Sequence, residues 1–149
     1  MTLVAQLARV TDSVPLARNP ITILLVERDP HVRTLATHFL VEAGHRVEVS
    51  SNGLEALAQV RTLRPDLVLC EILVPKLDGL ALCRQLKANP ETRHILVLVV
   101  SILAAGPRAN DAGADGFLLK PLAQHRLIAM VQGLIEKRSF VPQHVQERS

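Results

Sequence analysis

Short apolar segments alternate along this chain with segments that have the periodicity of amphipathic helices, and this alternation limits the fold more than any other feature. The apolar segments cover 21–26, 45–49, 66–70, 95–100 and 115–119. Helical patterns follow them, starting near 29, 52, 79, 104 and 122. Strands that alternate with helices form parallel sheets covered on both faces. Right-handed crossovers follow from the twist of the strands.

Local signals mark the ends of several of these elements. Asp29 and Pro30 form an N-cap and a first helical residue, Gly44 ends that helix, and Asn52 opens the next one. The segment 95–100 is the most apolar, so we predict that it is a central strand. The prediction is an α/β, flavodoxin-like, doubly wound five-stranded parallel sheet in the order 2-1-3-4-5, with helices on both faces.

Length and composition indicate one domain with a substantial core. The chain has 149 residues, of which 48% are hydrophobic, and a chain of this size buries roughly 70% of its unfolded surface. We assign the domain to residues 21–137, an N-terminal tail to 1–20 and a C-terminal tail to 138–149. In the first tail, Leu3, Leu7 and Val10 have helical spacing, but a frayed segment is the preferred interpretation.

The charge pattern and the two cysteines limit the partners and the location. The net charge is only +3, the basic residues are scattered, and the chain has three Phe but no Trp or Tyr, so direct nucleic-acid binding is not expected. No apolar stretch is long enough to span a bilayer, and no basic leader precedes an apolar segment. Cys70 and Cys83 fit buried thiols in a reducing compartment. We expect a cytoplasmic protein with no membrane partner.

Polar residues close four of the five apolar segments. Because the carboxyl ends of parallel strands lie along one edge of a sheet, residues far apart in sequence should meet there. The closing residues are Glu27, Arg28 and Asp29 after strand 1, Glu71 in strand 3, Ser101 in strand 4 and Lys120 in strand 5.

Several motifs occur in the order and at the spacing of a known family. They lie at 52–57, 65–79, 113–117 and 120–121. On these motifs, residues 21–137 resemble the receiver domain of bacterial response regulators, which act in two-component (phosphorelay) signal transduction. In that family, two acids after strand 1 and an aspartate that accepts a phosphoryl group hold magnesium. A hydroxyl residue and a lysine bind the phosphoryl oxygens.

The resemblance assigns family roles to residues of this chain by position. Glu27 matches the first acid, Ser101 matches the hydroxyl residue and Lys120 matches the lysine. The peptide bond that follows this lysine, here to Pro121, is often cis in the family. Phe117 stands at the aromatic switch position, and Leu73 stands where a backbone carbonyl is offered to the metal. Two positions depart from the family. Glu71 stands at the phosphoacceptor, and Arg28 stands at the second acid. Asp29 does not replace that acid, because its expected role is the helix N-cap.

These departures change the charge of the predicted site. Formal charges on Glu27, Arg28, Glu71 and Lys120 cancel, so we expect that magnesium binding is lost and that no other cofactor is needed. We predict that Arg28 and Lys120 hold Glu71 in an ion-pair cluster, which lowers the pKa of Glu71. Substitution Arg28→Ala should then destabilise the fold by a few kcal/mol. The stretch between Ser101 and Gly113 is also about three residues shorter than is usual in the family, which removes nearly one helical turn.

The functional prediction is a stand-alone receiver protein that is not an enzyme and is not phosphorylated at the usual site. It would act as a protein-interaction module for a histidine kinase, a transcription factor or another signalling protein, with homodimerisation possible. Two alternatives stay open: a magnesium-dependent phosphoacceptor with an atypical site, rebuilt for example with Asp29, or an unrelated activity on the same fold. For the last, no nucleophile elbow or P-loop motif is found in the sequence.

Structural roles are predicted for the other reactive side chains. Cys70 is expected to point into the core, since the sequence offers it no clear catalytic partner. His31, His38, His45 and His94 are not spaced as metal ligands and are predicted to lie on the surface. Asp66 is predicted to cap or flank strand 3 at the end away from the site.

Overall fold

The structure, a computed structural model, describes residues 19–139 and contains five parallel strands and five helices. The strands are β1 (Thr22–Val26), β2 (Arg46–Ser50), β3 (Leu67–Glu71), β4 (Leu96–Ser101) and β5 (Gly116–Leu119). The helices are α1 (Pro30–Glu42), α2 (Gly53–Leu63), α3 (Gly79–Ala88), α4 (Gly106–Asp111) and α5 (Gln124–Ser139). The observed strand order is β2-β1-β3-β4-β5. The predicted fold class and strand order are therefore confirmed.

β4 is an interior strand, as predicted for the segment 95–100, and β3 lies in the middle of the sheet, as the predicted order requires. β3 pairs with β1 on one side and with β4 on the other, and every pairing in the sheet is parallel. All residues of β3 and β4 are buried. The continuous apolar sequence of 95–100 agrees with this position, because an interior parallel strand is covered on both faces.

Alternate residues of each strand point to opposite faces of the sheet, and they form two separate core clusters. On one face, side chains such as Leu24, Val68 and Val97 pack with helices α2, α3 and α4. On the other face, side chains such as Leu25 and Leu69 pack with helices α1 and α5. The helices thereby cover both faces, and the carboxyl ends of the strands remain at one edge between them.

Short polar side chains begin the three helices that follow β1, β2 and β3. Asp29 accepts hydrogen bonds from the backbone N–H groups of the first turn of α1, Asn52 does so for α2, and Asp78 does so for α3. Each cap satisfies a backbone donor that the helix leaves unpaired. The caps fix the three loops that leave the carboxyl edge of the sheet, which is where the candidate site lies.

Helix α4 is short, as the shortened stretch after Ser101 predicts. It has six residues, includes Pro107 in its first turn and has no side-chain cap. The other element bounds differ from the sequence prediction by one or two residues, which is within the usual spread of helix and strand ends. The interpretation of Leu3, Leu7 and Val10 as a frayed segment lies outside the described residues. Within 19–139, no helix combines the length and apolar character needed to cross a bilayer.

Candidate functional site

Four polar residues meet at the carboxyl edge of the sheet. Glu27, Glu71 and Ser101 are almost completely buried, at 3%, 5% and 0% exposure. The ammonium group of Lys120 lies between the two carboxylates, with Nζ 2.7 Å from Oε1 of Glu27 and 2.8 Å from Oε1 of Glu71. The structure thus brings together residues that end or directly follow strands β1, β3, β4 and β5. We call these four residues the Lys120 cluster.

Backbone N–H groups occupy the other oxygens of the two acids. Oε2 of Glu27 accepts a hydrogen bond from the Asp29 N–H at 3.0 Å. Oε2 of Glu71 accepts one from the Leu73 N–H, also at 3.0 Å. Each carboxylate is therefore held by one ammonium contact and one backbone donor, an arrangement that satisfies buried charged groups.

Local backbone contacts hold Glu71 and Lys120 in place. The loop after β3 turns back on itself, because the Gly79 N–H donates to the Ile72 carbonyl at 2.9 Å. Gly79 lies so close to the Glu71 carbonyl that a Cβ atom would overlap it. The Lys120 N–H donates to the Ser101 carbonyl at 2.9 Å. The bond from Lys120 to Pro121 is cis, as the family resemblance suggested.

The electrostatics of the cluster stabilise its charged form. Burial acts to raise the pKa of Glu71, but hydrogen bonds from Lys120, Ser101 and the Leu73 N–H outweigh it, so this pKa lies below its ordinary value. Burial acts to lower the pKa of Lys120, but its bonds to Glu27 and Glu71 raise it above the ordinary value. The direction predicted for the pKa of Glu71 is therefore confirmed.

Arg28 does not take part in the cluster, and this half of the ion-pair prediction is wrong. Its side chain is exposed, and within residues 19–139 it makes no ion pair. A guanidinium at the surface keeps its hydration, whereas burial beside the carboxylates would cost several kcal/mol of solvation. Without Arg28, the buried cluster of Glu27, Glu71 and Lys120 has a formal charge of −1 rather than zero.

Asp29 is exposed and caps helix α1. Its Oδ1 accepts from the N–H groups of His31 at 2.8 Å and Val32 at 3.4 Å, and these backbone bonds lower the pKa of Asp29.

Arg33 also contacts the site, although the sequence did not predict it: its Nη1 donates to the Glu27 carbonyl at 2.8 Å. The signal was its place in the first turn of α1, where a long side chain can reach back to the end of β1.

Phe117 and Leu73, the two other positions that the resemblance singled out, lie in different environments. Phe117 is half-buried and packs against the core cluster on the α2–α4 face, with its ring near Gly106. The Leu73 side chain is exposed, while its backbone N–H binds Glu71. Phe117, the second residue of β5, thus lies next to the start of the short helix α4.

Cys70 and His45 are both buried. Cys70 is a buried core thiol, and burial raises its pKa. The prediction that Cys70 points into the core is therefore confirmed. His45, in contrast, is buried, so its assignment to the surface is wrong. Its Nδ1 accepts a hydrogen bond from the Ile21 N–H at 3.2 Å, and burial lowers the pKa of His45. Ile21 is 24 residues away in the sequence, so a local pattern does not reveal this contact.

Asp66 flanks strand β3 at the edge opposite the Lys120 cluster, as its position predicted. Its Oδ2 accepts from the Thr22 N–H at 2.9 Å, which ties the start of β1 to the start of β3. Across the described part of the chain, no group of three or more His, Cys, Asp or Glu residues is arranged to hold a metal ion.

The structure is thus an α/β domain with a doubly wound parallel sheet and a buried polar site at the carboxyl edge of that sheet. A comparison with protein families assigns residues 23–132 to the response regulator receiver domain. The chain belongs to this family, whose members act in two-component signalling through protein partners such as kinases and transcription factors.

Individual relatives agree with the family. The response regulator MprA of Mycobacterium sp. (strain KMS) is 40% identical over 124 residues, which cover 80% of this chain and 53% of that protein. This chain therefore spans about half the length of the curated relatives that it matches.

Solved structures of receiver domains superpose well on this chain. The receiver domain of a histidine kinase from Syntrophus aciditrophicus is 35% identical, with a TM-score of 0.75 and coverage of 82% of this chain and 95% of that one. The receiver domain of the sensor histidine kinase PA1611 from Pseudomonas aeruginosa PAO1 is 26% identical, with a TM-score of 0.72 and coverage of 79% and 99%. The second structure has a magnesium ion coordinated in its active-site cleft.

Proposed function

We propose that this chain is a receiver that is not phosphorylated at Glu71 and that acts by binding a protein partner rather than by catalysis. The observation that carries the proposal is the position of Lys120, whose Nζ lies 2.7 Å from Glu27 and 2.8 Å from Glu71. In the family, the matching lysine binds oxygens of the incoming phosphoryl group. Here the charge of Lys120 is already compensated by two carboxylates of the chain itself.

The residues present do not fit a conventional magnesium centre. Magnesium takes oxygen ligands in a near-octahedral arrangement at about 2.0–2.1 Å. Glu27 and Glu71 direct their oxygens to Lys120 and to backbone N–H groups. Arg28 occupies the position of the second acid after strand 1, and its permanent charge repels a divalent cation. The Pseudomonas aeruginosa receiver domain, with magnesium in its cleft, provides the contrast.

Phosphoryl transfer at Glu71 is disfavoured for a second reason. The reaction needs an oxygen free to attack and positive charge to stabilise the transferred group. Both oxygens of Glu71 already accept contacts, one from Lys120 and one from the Leu73 N–H. The buried cluster also has a net negative charge, which opposes the approach of a phosphoryl donor.

The arrangement of Glu71 and Lys120 suggests how such a receiver could work. The Glu71 carboxylate makes the contact with Lys120 that phosphoryl oxygens make in the family. Ser101, at the matching hydroxyl position, also stabilises the charged form of Glu71. We infer that the Lys120 cluster holds the domain in one state, so that regulation depends on which partner is present. That partner is a histidine kinase, a transcription factor or another signalling protein.

One observation supports the competing possibility of a working phosphoacceptor with an atypical site. Ser101 and Lys120 remain at the positions that bind phosphoryl oxygens in the family, and the exposed carboxylate of Asp29 lies at the end of the same strand as Glu27. Against this, the Asp29 carboxylate is engaged by two backbone N–H groups of helix α1. A metal could recruit it only by removing the helix cap.

Calorimetric titration with magnesium tests the proposal. We expect no saturable binding to the natural chain and clear binding to the double variant Arg28→Asp, Glu71→Asp, which restores the acids of the family. The variant Arg126→Asp, which adds an acid at an exposed position of α5, serves as the control for charge and should not bind. Stoichiometric magnesium binding by the natural chain would refute the proposed loss of the metal site.

A further inference from the structure

Two clefts lie at the amino-terminal edge of the sheet, at the end of the molecule away from the Lys120 cluster. The first has a volume of about 510 Å³ and is lined by Arg61 and Arg64 at the end of α2 and by His94 before β4. The second has a volume of about 280 Å³ and is lined by His94, Arg93 and Lys137 near the end of α5. His94 belongs to both clefts, so they are neighbours. We call these five residues the basic end.

The clefts concentrate the positive charge of the chain. Six Lys or Arg residues and two carboxylates line them, which leaves an excess of four positive charges with His94 neutral. The whole chain has a net charge of only +3. The basic residues are scattered in the sequence, but the fold brings those of α2, the loop before β4 and α5 together at one end.

Some of these cations have structural partners within the fold. Lys87 pairs with Asp115 at 2.9 Å and donates to the carbonyls of Arg93 and Ile95. Arg138 donates to the Asp66 carbonyl at 3.3 Å. Asp115 and Asp66 are therefore already paired with cations of the chain. The same contacts hold the starts of strands β3, β4 and β5.

The remaining cations have no such partners. Arg61, Arg64, Arg93 and Lys137 are exposed, and in the part of the chain that the structure describes they form no ion pair. Glu91 is the one further carboxylate that lines the clefts. Cations gathered in this way repel one another, and a partner with negative charge relieves that repulsion.

We propose that the basic end binds an acidic segment of a partner protein. Arginine side chains pair with carboxylates through two parallel hydrogen bonds, and the two neighbouring clefts can receive successive acidic side chains of one extended segment. Complementary charge of this kind directs association and selects the partner. The interaction should therefore weaken as salt is added, since exposed charges are screened over about 10 Å at 0.1 M ionic strength.

Residues 1–18 and 140–149 do not have the charge expected of an occupant of the basic end. Residues 1–18 carry Arg9, Asp12 and Arg18, and residues 140–149 carry Glu147 and Arg148. Neither segment has an excess of acid. A nucleic acid is also a poorer match, because Glu91 lines the first cleft beside the arginines and the chain has no Trp or Tyr on which bases could stack.

Binding at the basic end does not depend on the state of Glu71. The basic end and the Lys120 cluster lie at opposite ends of the strands, so each can be changed without touching the other. If the natural chain proved to accept a phosphoryl group, the charge argument for the basic end would stand unaltered.

Fluorescence anisotropy with a labelled peptide of alternating Glu and Ser tests the proposal on the full chain. We expect saturable binding that weakens with salt, and binding about tenfold weaker, equivalent to about 1.4 kcal/mol, for the variant Arg93→Glu, Lys137→Glu. The control Lys76→Glu, Arg126→Glu has the same charge change at exposed positions on the opposite end. It should bind the peptide almost as well as the natural chain.

The other probes in the same assay are a Gln and Ser peptide, a DNA duplex and phosphatidylserine vesicles. Failure of the Glu and Ser peptide to bind, or equal loss in both double variants, would overturn the proposal. Tighter binding of the duplex or the vesicles, abolished by Arg93→Glu, Lys137→Glu, would also overturn it and would identify the other class of partner. Amide chemical-shift changes confined to Arg61, Arg64 and 93–94 would support it directly.

Discussion

Lys120 Nζ lies 2.8 Å from Oε1 of Glu71, and the two side chains are only 11% and 5% exposed. The residues are separated by most of the second half of the chain, yet they form one charged pair because β3 and β5 end at the same edge of the sheet. Glu27 shares the same ammonium group. Because the group is buried, removing one charged side chain leaves the charges of the others uncompensated.

Loss of Lys120 should therefore destabilise the fold strongly. Substitution Lys120→Met leaves Glu27 and Glu71 buried beside each other without a cation, which should lower the free energy of unfolding by about 3–5 kcal/mol. Urea unfolding followed by circular dichroism measures this change. The matched variant Arg28→Met removes an exposed cation without an ion pair in the described structure and should stay within about 0.5 kcal/mol of the natural chain. Equal effects of the two variants would place Arg28 back in the cluster.

Acid should weaken the fold through Glu71. Its pKa is lower in the folded chain than the ordinary value of about 4.3, so the unfolded chain binds its proton first. The stability from Glu71 is complete above the ordinary pKa and is lost as the pH falls through the folded pKa. Unfolding free energies measured between about pH 6 and about pH 3 should fall less steeply for Glu71→Gln than for the natural chain. Parallel curves would show that the carboxylate is not held as described.

His45 should contribute a second pH dependence at a milder pH. Its Nδ1 accepts the Ile21 N–H, and burial lowers its pKa, so protonation must break this bond or expose the ring. The unfolded chain binds this proton more readily, and stability should fall as the pH drops below about 6.5. NMR titration of the imidazole in the folded chain, compared with the urea-unfolded chain, should give the lower midpoint in the folded state. A higher folded midpoint would contradict the buried, neutral His45.

Two glycine substitutions should act in opposite directions. A Cβ atom at Gly79 would overlap the Glu71 carbonyl, whereas a Cβ at Gly133 meets nothing within 4 Å. Gly79→Ala must therefore displace the loop after β3, at a cost of about 1–3 kcal/mol. Gly133→Ala, inside helix α5, should stabilise the fold by about 0.5–1 kcal/mol. Thermal unfolding distinguishes the two, and a stable Gly79→Ala variant would show that the loop beside Glu71 can move freely.

Much of the fold could be predicted from the sequence because its signals are local. The alternation of apolar and amphipathic segments predicts the strand order, and Asp29 and Asn52 mark helix starts through their short polar side chains. The meeting of Glu27, Glu71, Ser101 and Lys120 also follows from parallel strands, since their ends share one edge. The residues that meet at this edge can therefore be predicted from the sequence alone.

Side-chain direction was harder to predict. Arg28 immediately follows Glu27 in the chain, yet Glu27 is buried and Arg28 is exposed. The direction of each side chain depends on the course of the backbone after β1. His45 is buried and bonds to the N–H of Ile21, 24 residues earlier in the chain. The basic end was missed for the same reason, since Arg61, Arg93 and Lys137 are far apart in sequence and meet only through the packing of three elements.

The most direct test of the central claim is the intact mass of the chain after incubation with acetyl phosphate and magnesium. The double variant Arg28→Asp, Glu71→Asp, treated in parallel, restores the acids of the family. The account predicts no phosphoryl adduct on the natural chain and a clear adduct on the variant. A phosphoryl adduct on the natural chain, mapped by fragmentation to Glu71 or to Asp29, would contradict the claim that the Lys120 cluster has replaced the phosphorylation chemistry.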